Sequence, residues 1–105
     1  MLNLAKLMNN IHCDPVNGLL FWKQTGSGRK MGEPIGVLRM NSNGHPVREV
    51  KFDGVLYQTK FLIYVLCSKR IPTGRIGHLD GDSNNLSYKN LYDVDLMEKM
   101  EAMVA

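Results

Sequence analysis

The segment from Val47 to Tyr57 constrains the fold more than any other. Val47-Arg48-Glu49-Val50-Lys51-Phe52 mixes apolar and charged residues over a short period, Asp53-Gly54 follows, and Val55-Leu56-Tyr57 resumes the pattern. An Asp-Gly pair between two such runs is a strong hairpin signal, because tight hairpin turns need positive φ at their central residues. Antiparallel sheet is therefore expected here. Upstream, Gly26, Gly28, Gly32, Gly36 and Gly44, with Pro34 among them, predict turns and short strands and exclude a long helix.

Helical spacing brackets this region. Leu2, Leu4, Leu7, Met8 and Ile11 mark one face of a short helix, which Asp14-Pro15 stops because the residue before a proline is pushed out of the helical region. Asn17-Gly18 predicts a turn into a strand over Leu19-Leu20-Phe21-Trp22. From Thr59 to Ser68, Phe61, Leu62, Val65 and Leu66 fall at helical spacing, the basic pair Lys69-Arg70 suits the C-terminal end, and Pro72 and Gly74 lie beyond it. Ile76 to Asn85 predicts a strand, a tight turn and a return. Near the end, Leu96, Met97, Met100, Met103 and Val104 share a helical face, with Asp95 as cap and Glu98 as its partner three residues later. Methionine is adaptable packing material, so this face predicts core packing, with a partner-binding surface as the alternative. The expected class is α+β, in one domain, since 105 residues leave no room for a large second one.

Charge is unevenly spread along the chain. Residues 23–75 carry ten basic side chains, Lys23, Arg29, Lys30, Arg39, Arg48, Lys51, Lys60, Lys69, Arg70 and Arg75, against three acidic ones, a local charge of +7 within a total of +3. Residues 76–105 sum to −4. A basic middle followed by an acidic end suits a polyanion partner beside a local carboxylate cluster. The longest apolar stretch, Phe61 to Cys67, falls far short of the roughly 20 residues that cross a bilayer, so no membrane partner is expected. Met1 to His12 has Lys6 as its only charge and no apolar run followed by small residues, so a soluble, cytoplasmic protein without a secretion signal is expected. Cys13 and Cys67 belong to no metal-binding or redox spacing, and each is expected as a small buried hydrophobe rather than half of a disulfide.

Of the three histidines, His12 at a helix end and His45 in a Gly/Pro loop read as solvated. His78 differs: it lies in Gly77-His78-Leu79-Asp80-Gly81-Asp82, followed by Asn84-Asn85 and then Asn90-Leu91. A histidine on a short strand, with carboxylates and amides round a turn, has the groups to bind a divalent metal and activate water.

This arrangement resembles the ββα-metal core of HNH endonucleases, particularly the small phage and intron-encoded group. Asp14-Pro15, Gly18, Leu20, Trp22-Lys23 and Asp53-Gly54 with Tyr57 also fit members of that group, so the resemblance covers about residues 1 to 92. It implies a leading helix and hairpins over 1–57, an HNH-like core over 58–92 in which Asn90-Leu91 opens the next helix, and a C-terminal helix over 93–105. It also implies that His78 is the general base, that Asn90 orients it, and that one Mg or Mn ion stabilises the phosphorane charge and the leaving 3′ oxygen. Double-stranded DNA is the implied partner, with the ten basic residues of 23–75 as its contacts, in the cytoplasm of a bacterial host cell.

The departures bear on the chemistry. The metal-binding aspartate before the histidine is Gly77 here, the histidine that opens the preceding helix is Lys60, and a later asparagine position falls at Leu86. Removing a single electrostatic stabiliser costs about 10²- to 10³-fold in rate, and losing the metal costs more. Asp80 and Asp82 are the nearest substitute ligands. The expected function is a degenerate HNH-like DNA-binding protein with weak or no nuclease activity, with Mg or Mn as cofactor if active and none otherwise. The alternatives are an active metal-dependent nicking enzyme, or a phage protein that uses the scaffold to bind a host protein such as a defence nuclease.

Overall fold

A computed structural model describes residues 2–23, 31–40, 44 and 46–104, apart from the side chains of Val37, Arg39, Pro46 and Val104. Arg29, Lys30 and His45, and the side chain of Arg39, lie outside the described residues. The class is α+β, with helices packed among small antiparallel sheets.

Helix α1 spans Leu4–Asn10 and starts at Asn3, whose side-chain oxygen accepts the Lys6 N–H at 3.1 Å. It ends earlier than helical spacing predicts. Ile11 turns to an extended backbone and opens strand β1, Ile11–Asp14, which pairs with β2, Leu19–Trp22. Pairing overrides the periodic signal here, because Ile11, a β-branched residue, is buried on the sheet while the Asn10 amide satisfies the Lys6 carbonyl of the last helical turn at 2.8 Å. Between the strands, the Asp14 carboxylate accepts the N–H groups of Val16 and Asn17 and the Asn17 side chain. Gly18 completes the turn with φ 66°, and a Cβ there would stand 2.4 Å from the Leu86 carbonyl carbon.

The predicted hairpin is present. Strands β3, Val37–Met40, β4, Pro46–Phe52, and β5, Val55–Gln58, form one antiparallel sheet with β4 central. Phe52 pairs with Val55, and Asp53 and Gly54 between them have φ of 54° and 80°, both positive as a two-residue primed turn requires.

Helix α2, Thr59–Ser68, follows β5 directly and matches the predicted bounds. Thr59 and Leu62 to Leu66 are buried, so it is the central element of the core rather than a surface helix. Around it pack Leu7, Ile11, Leu20, Val50, Phe52, Ile76 and Leu91. Each such side chain contributes about 1.5–3 kcal/mol when fully withdrawn from water. Lys69, at φ 60°, closes the helix by donating its backbone N–H to Val65.

The last part differs from expectation in its pairing. Strand β6, Ile76–His78, pairs with β7, Leu91–Asp93, so the return comes after a long loop over 79–90 instead of within Ile76 to Asn85. Asn90 ends a single 3₁₀ turn and Leu91 opens a strand, not a helix. Helix α3, Val94–Val104, then follows at once, which makes 76–104 a β–β–α unit. Its first turn is capped by Asp93, which accepts the Leu96 N–H at 3.2 Å, rather than by Asp95. The apolar face of α3 is not core: Leu96, Met97, Met100 and Met103 are all exposed.

Candidate nucleic-acid interface

The loop between β6 and β7 is organised by Asn90. This buried side chain donates to Asp80 Oδ1 at 2.9 Å and to the Asn85 carbonyl at 3.0 Å, and its oxygen accepts the Asp80 N–H at 3.0 Å. Asp80 in turn accepts the Asp82 N–H at 2.8 Å and the Asn85 amide at 2.9 Å. Hydrogen bonds from Asn85, then from the Asp82 backbone and from Asn90, hold the Asp80 carboxyl below the usual carboxylate range. Asp82 accepts the Asn84 N–H at 2.9 Å, so both aspartates act as loop formers.

His78 ends β6 half-buried, with Nδ1 3.3 Å from the Asn85 carbonyl. A carbonyl only accepts, so Nδ1 is the donor in this contact. Asn90 does not hydrogen-bond His78 itself. The two share the Asn85 carbonyl as an acceptor.

The donor set does not fit a divalent metal. Hard cations take several oxygen ligands, and every hydrogen bond that Asp80 makes is already directed into its own loop. At Gly77, where the resemblance places a metal-binding aspartate, a Cβ would stand 2.6 Å from Cε1 and Cζ of the Tyr92 ring, its cross-strand partner. Tyr92 occupies the space such a side chain would enter. Lys60 brings a positive charge to the remaining position; burial, and then Arg75, hold its ammonium below the ordinary lysine value.

The ten basic residues separate into groups. His78, Lys60 and Arg48 line a cleft of about 390 Å³ with Gln58 and Thr59. Gln58 and Lys60 also line an adjoining cleft of about 750 Å³, which contains Arg75, Gly77 and Tyr92. Lys51 projects from the face of β4 opposite to the buried Val50 and Phe52. Lys23, Lys69 and Arg70 serve the fold: Lys23 Nζ donates to the Met8 carbonyl at 2.6 Å and Lys69 Nζ to the Leu66 carbonyl at 2.6 Å. Arg70 donates to the Tyr64 hydroxyl, lies over its ring and pairs with Asp93 at 3.5 Å. Three of the ten, Arg48, Lys60 and Arg75, therefore converge on the clefts beside His78.

Two features have no sequence signal. Tyr92 acquires its role only through the β6–β7 register. Cys13 and Cys67, distant in sequence, bring their sulfurs to 3.7 Å, and burial followed by the neighbouring Cys67 pushes the Cys13 thiol up to about 12. No helix among the described residues is long and apolar enough to cross a membrane. Comparison with family models, curated proteins and solved structures gives no match.

Proposed function

We propose that this chain is a degenerate HNH-type protein that binds duplex DNA through the clefts beside His78, in the cytoplasm of a phage-infected or other bacterial cell, and does not cleave it. The observation that carries the reading is the convergence of Arg48, Lys60 and Arg75 on a site whose metal-ligand position is filled by the Tyr92 ring. Cations without a metal donor set suit phosphate binding and not Lewis-acid activation of water. Replacement of counterions on the phosphates makes such binding steeply salt-dependent.

Fluorescence anisotropy of a labelled duplex, read between about 50 and 200 mM salt, tests the binding. Wild type binds with a negative log–log slope, and each of Arg48→Gln and Arg75→Gln reduces that slope by about one. No binding at the lower salt concentration overturns the DNA reading. Plasmid nicking with Mg²⁺ or Mn²⁺ that disappears in His78→Ala overturns the absence of cleavage.

A protein partner is the second reading, favoured by the exposed Leu96, Met97, Met100 and Met103 on α3. Unchanged DNA affinity after Met100→Glu and Met103→Glu, with loss of a stoichiometric complex with a host nuclease, would establish it as a separate surface.

A further inference from the structure

We propose that the first turn of α2 forms a fixed binding site for one tetrahedral phosphate group, with Lys60 as its charged donor and Arg48 and Arg75 on either side. The inference deepens the DNA reading and rests on it for the source of the phosphate.

Four observations converge on this turn. Gln58, the residue before α2, makes no side-chain capping bond, and the first turn contains no acidic residue. The N–H groups of Thr59, Lys60 and Phe61 have no acceptor within the helix at this end, and the helix dipole adds partial positive charge there. Thr59 is 3% exposed, lines the cleft of about 390 Å³, and its Oγ1 is the one buried side-chain nitrogen or oxygen among the described residues without a hydrogen-bond partner. A buried hydroxyl left unpaired costs about 1–3 kcal/mol, so an acceptor is expected beside it.

The third observation is charge. Arg48, Lys60 and Arg75 make no ion pair among the described residues, and the exposed Glu98, in the cleft of about 750 Å³, is the one carboxylate among them that lines either cleft. The fourth is the half-buried Lys60 ammonium, which burial and Arg75 both disfavour. A cation at the positive end of a helix, close to a second cation, is repelled from both sides. A bound phosphate turns each repulsion into attraction and offers acceptors to the backbone N–H groups, the Thr59 hydroxyl and the lysine.

The test compares two substitutions of equal charge, Lys60→Gln in the cleft and Lys51→Gln on the opposite face of β4. Inorganic phosphate is titrated against chloride at constant ionic strength and followed by amide chemical shifts, and labelled duplex DNA is followed by anisotropy. In wild type, phosphate should give saturable shifts centred on Thr59, Lys60 and Phe61, and should compete with DNA. Lys60→Gln should abolish those shifts and weaken DNA binding by about tenfold or more, the loss of a charge-assisted hydrogen bond. Lys51→Gln should leave the shifts intact and weaken DNA binding only slightly, and Lys60→Arg should retain both readouts.

Equal weakening of DNA binding by both glutamine variants, without saturable phosphate shifts, overturns the site and leaves diffuse DNA binding standing. Saturable, Lys60-dependent shifts with no DNA binding by wild type support the phosphate site and overturn the DNA reading, which makes free phosphate or a mononucleotide the source. Thermal unfolding of each variant in the absence of phosphate separates loss of binding from loss of fold.

Discussion

The contact between Gly77 and Tyr92 decides whether a metal ligand can be restored, and it can be measured without any metal. A Cβ at position 77 would stand 2.6 Å from Cε1 and Cζ of the ring and 2.8 Å from its hydroxyl. Ordinary carbon contacts lie at about 3.5–4.0 Å, so the ring tip must retreat by about 1 Å. Overpacking of this kind costs about 1–3 kcal/mol, and because the tip of a half-buried tyrosine can swing outward, the lower half of that range applies. Replacing glycine by alanine also stiffens the unfolded chain, worth about 0.4–1 kcal/mol in the opposite sense where the backbone tolerates it. Gly77→Ala should therefore lose between about 0 and 1.6 kcal/mol in wild type but gain about 0.4–1 kcal/mol in a Tyr92→Ala background. The coupling between the two is about 1–2 kcal/mol by urea unfolding, and each kcal/mol should move Tm by about 4–8 °C. Equal effects of Gly77→Ala in the two backgrounds, within about 0.3–0.5 kcal/mol, would refute the steric argument. Gly77→Asp alone should bind no manganese by calorimetry, because its carboxylate meets the same ring in a cleft shared with Lys60 and Arg75.

Other positions give independent tests. Gly18→Ala combines a φ of 66° with a Cβ 2.4 Å from a backbone carbon that cannot swing aside. It should cost about 3 kcal/mol or more, and a urea-measured loss below about 1 kcal/mol would contradict the close packing of Gly18 on Leu86. Asn90→Ala leaves the Asp80 N–H without its acceptor and should cost about 2–3 kcal/mol, with faster amide exchange at Asp80; a neutral result would remove Asn90 as the organiser of the loop. The Asp80 carboxyl, held low by its hydrogen bonds, stabilises the fold above its ordinary value of 3.8, and this contribution disappears as pH falls through the lower folded value. Asp80→Asn should flatten the acid limb of a stability–pH curve, and an unchanged limb would count against it. Cys13 runs the other way: its thiol is raised from 9.0 to about 12, so its contribution is complete below pH 9 and is lost as pH climbs towards 12. At pH 8 iodoacetamide should label it far more slowly in the folded chain than in urea, and equal rates would mean that the thiol is not shielded.

Much of the fold follows from local signals. The Asp53-Gly54 turn sets the register Phe52↔Val55, and α2 has the bounds its apolar spacing and Lys69-Arg70 predict, because each depends on neighbours a few residues away. Ile11 and Leu91 were less legible for the same reason inverted. Ile11 continues a helical stripe, yet pairs across the hairpin with Trp22, and Leu91-Tyr92-Asp93 is too short for any period to show. In the site, the type and order of His78, Asp80 and Asn90 could be read, whereas their junction at the Asn85 carbonyl is a backbone contact that side-chain identity does not encode. Nor does a basic segment reveal that Lys23 and Lys69 spend their charge on the carbonyls of Met8 and Leu66 while Arg48, Lys60 and Arg75 converge.

The positions that match the HNH pattern and those that depart from it differ in what they do for the fold. Asn90 and Asp80 carry the hydrogen bonds that shape the loop over 79–90. Gly81 turns the loop at φ 74° and donates its N–H to the His78 carbonyl at 3.0 Å, and Leu91 is buried in the core. All of these bonds are made between groups of the chain itself. Gly77 and Lys60, by contrast, contribute no side-chain hydrogen bond among the described residues. The residues round the loop therefore stabilise it through their own hydrogen bonds. His78 stands apart from both sets. The one side-chain hydrogen bond it makes among the described residues, at 3.3 Å, is too long to contribute much, and the ring lines a cleft with Arg48 and Lys60. The fold itself gives little reason for an imidazole at that point; a phosphate bound against α2, as proposed above, would share its cleft.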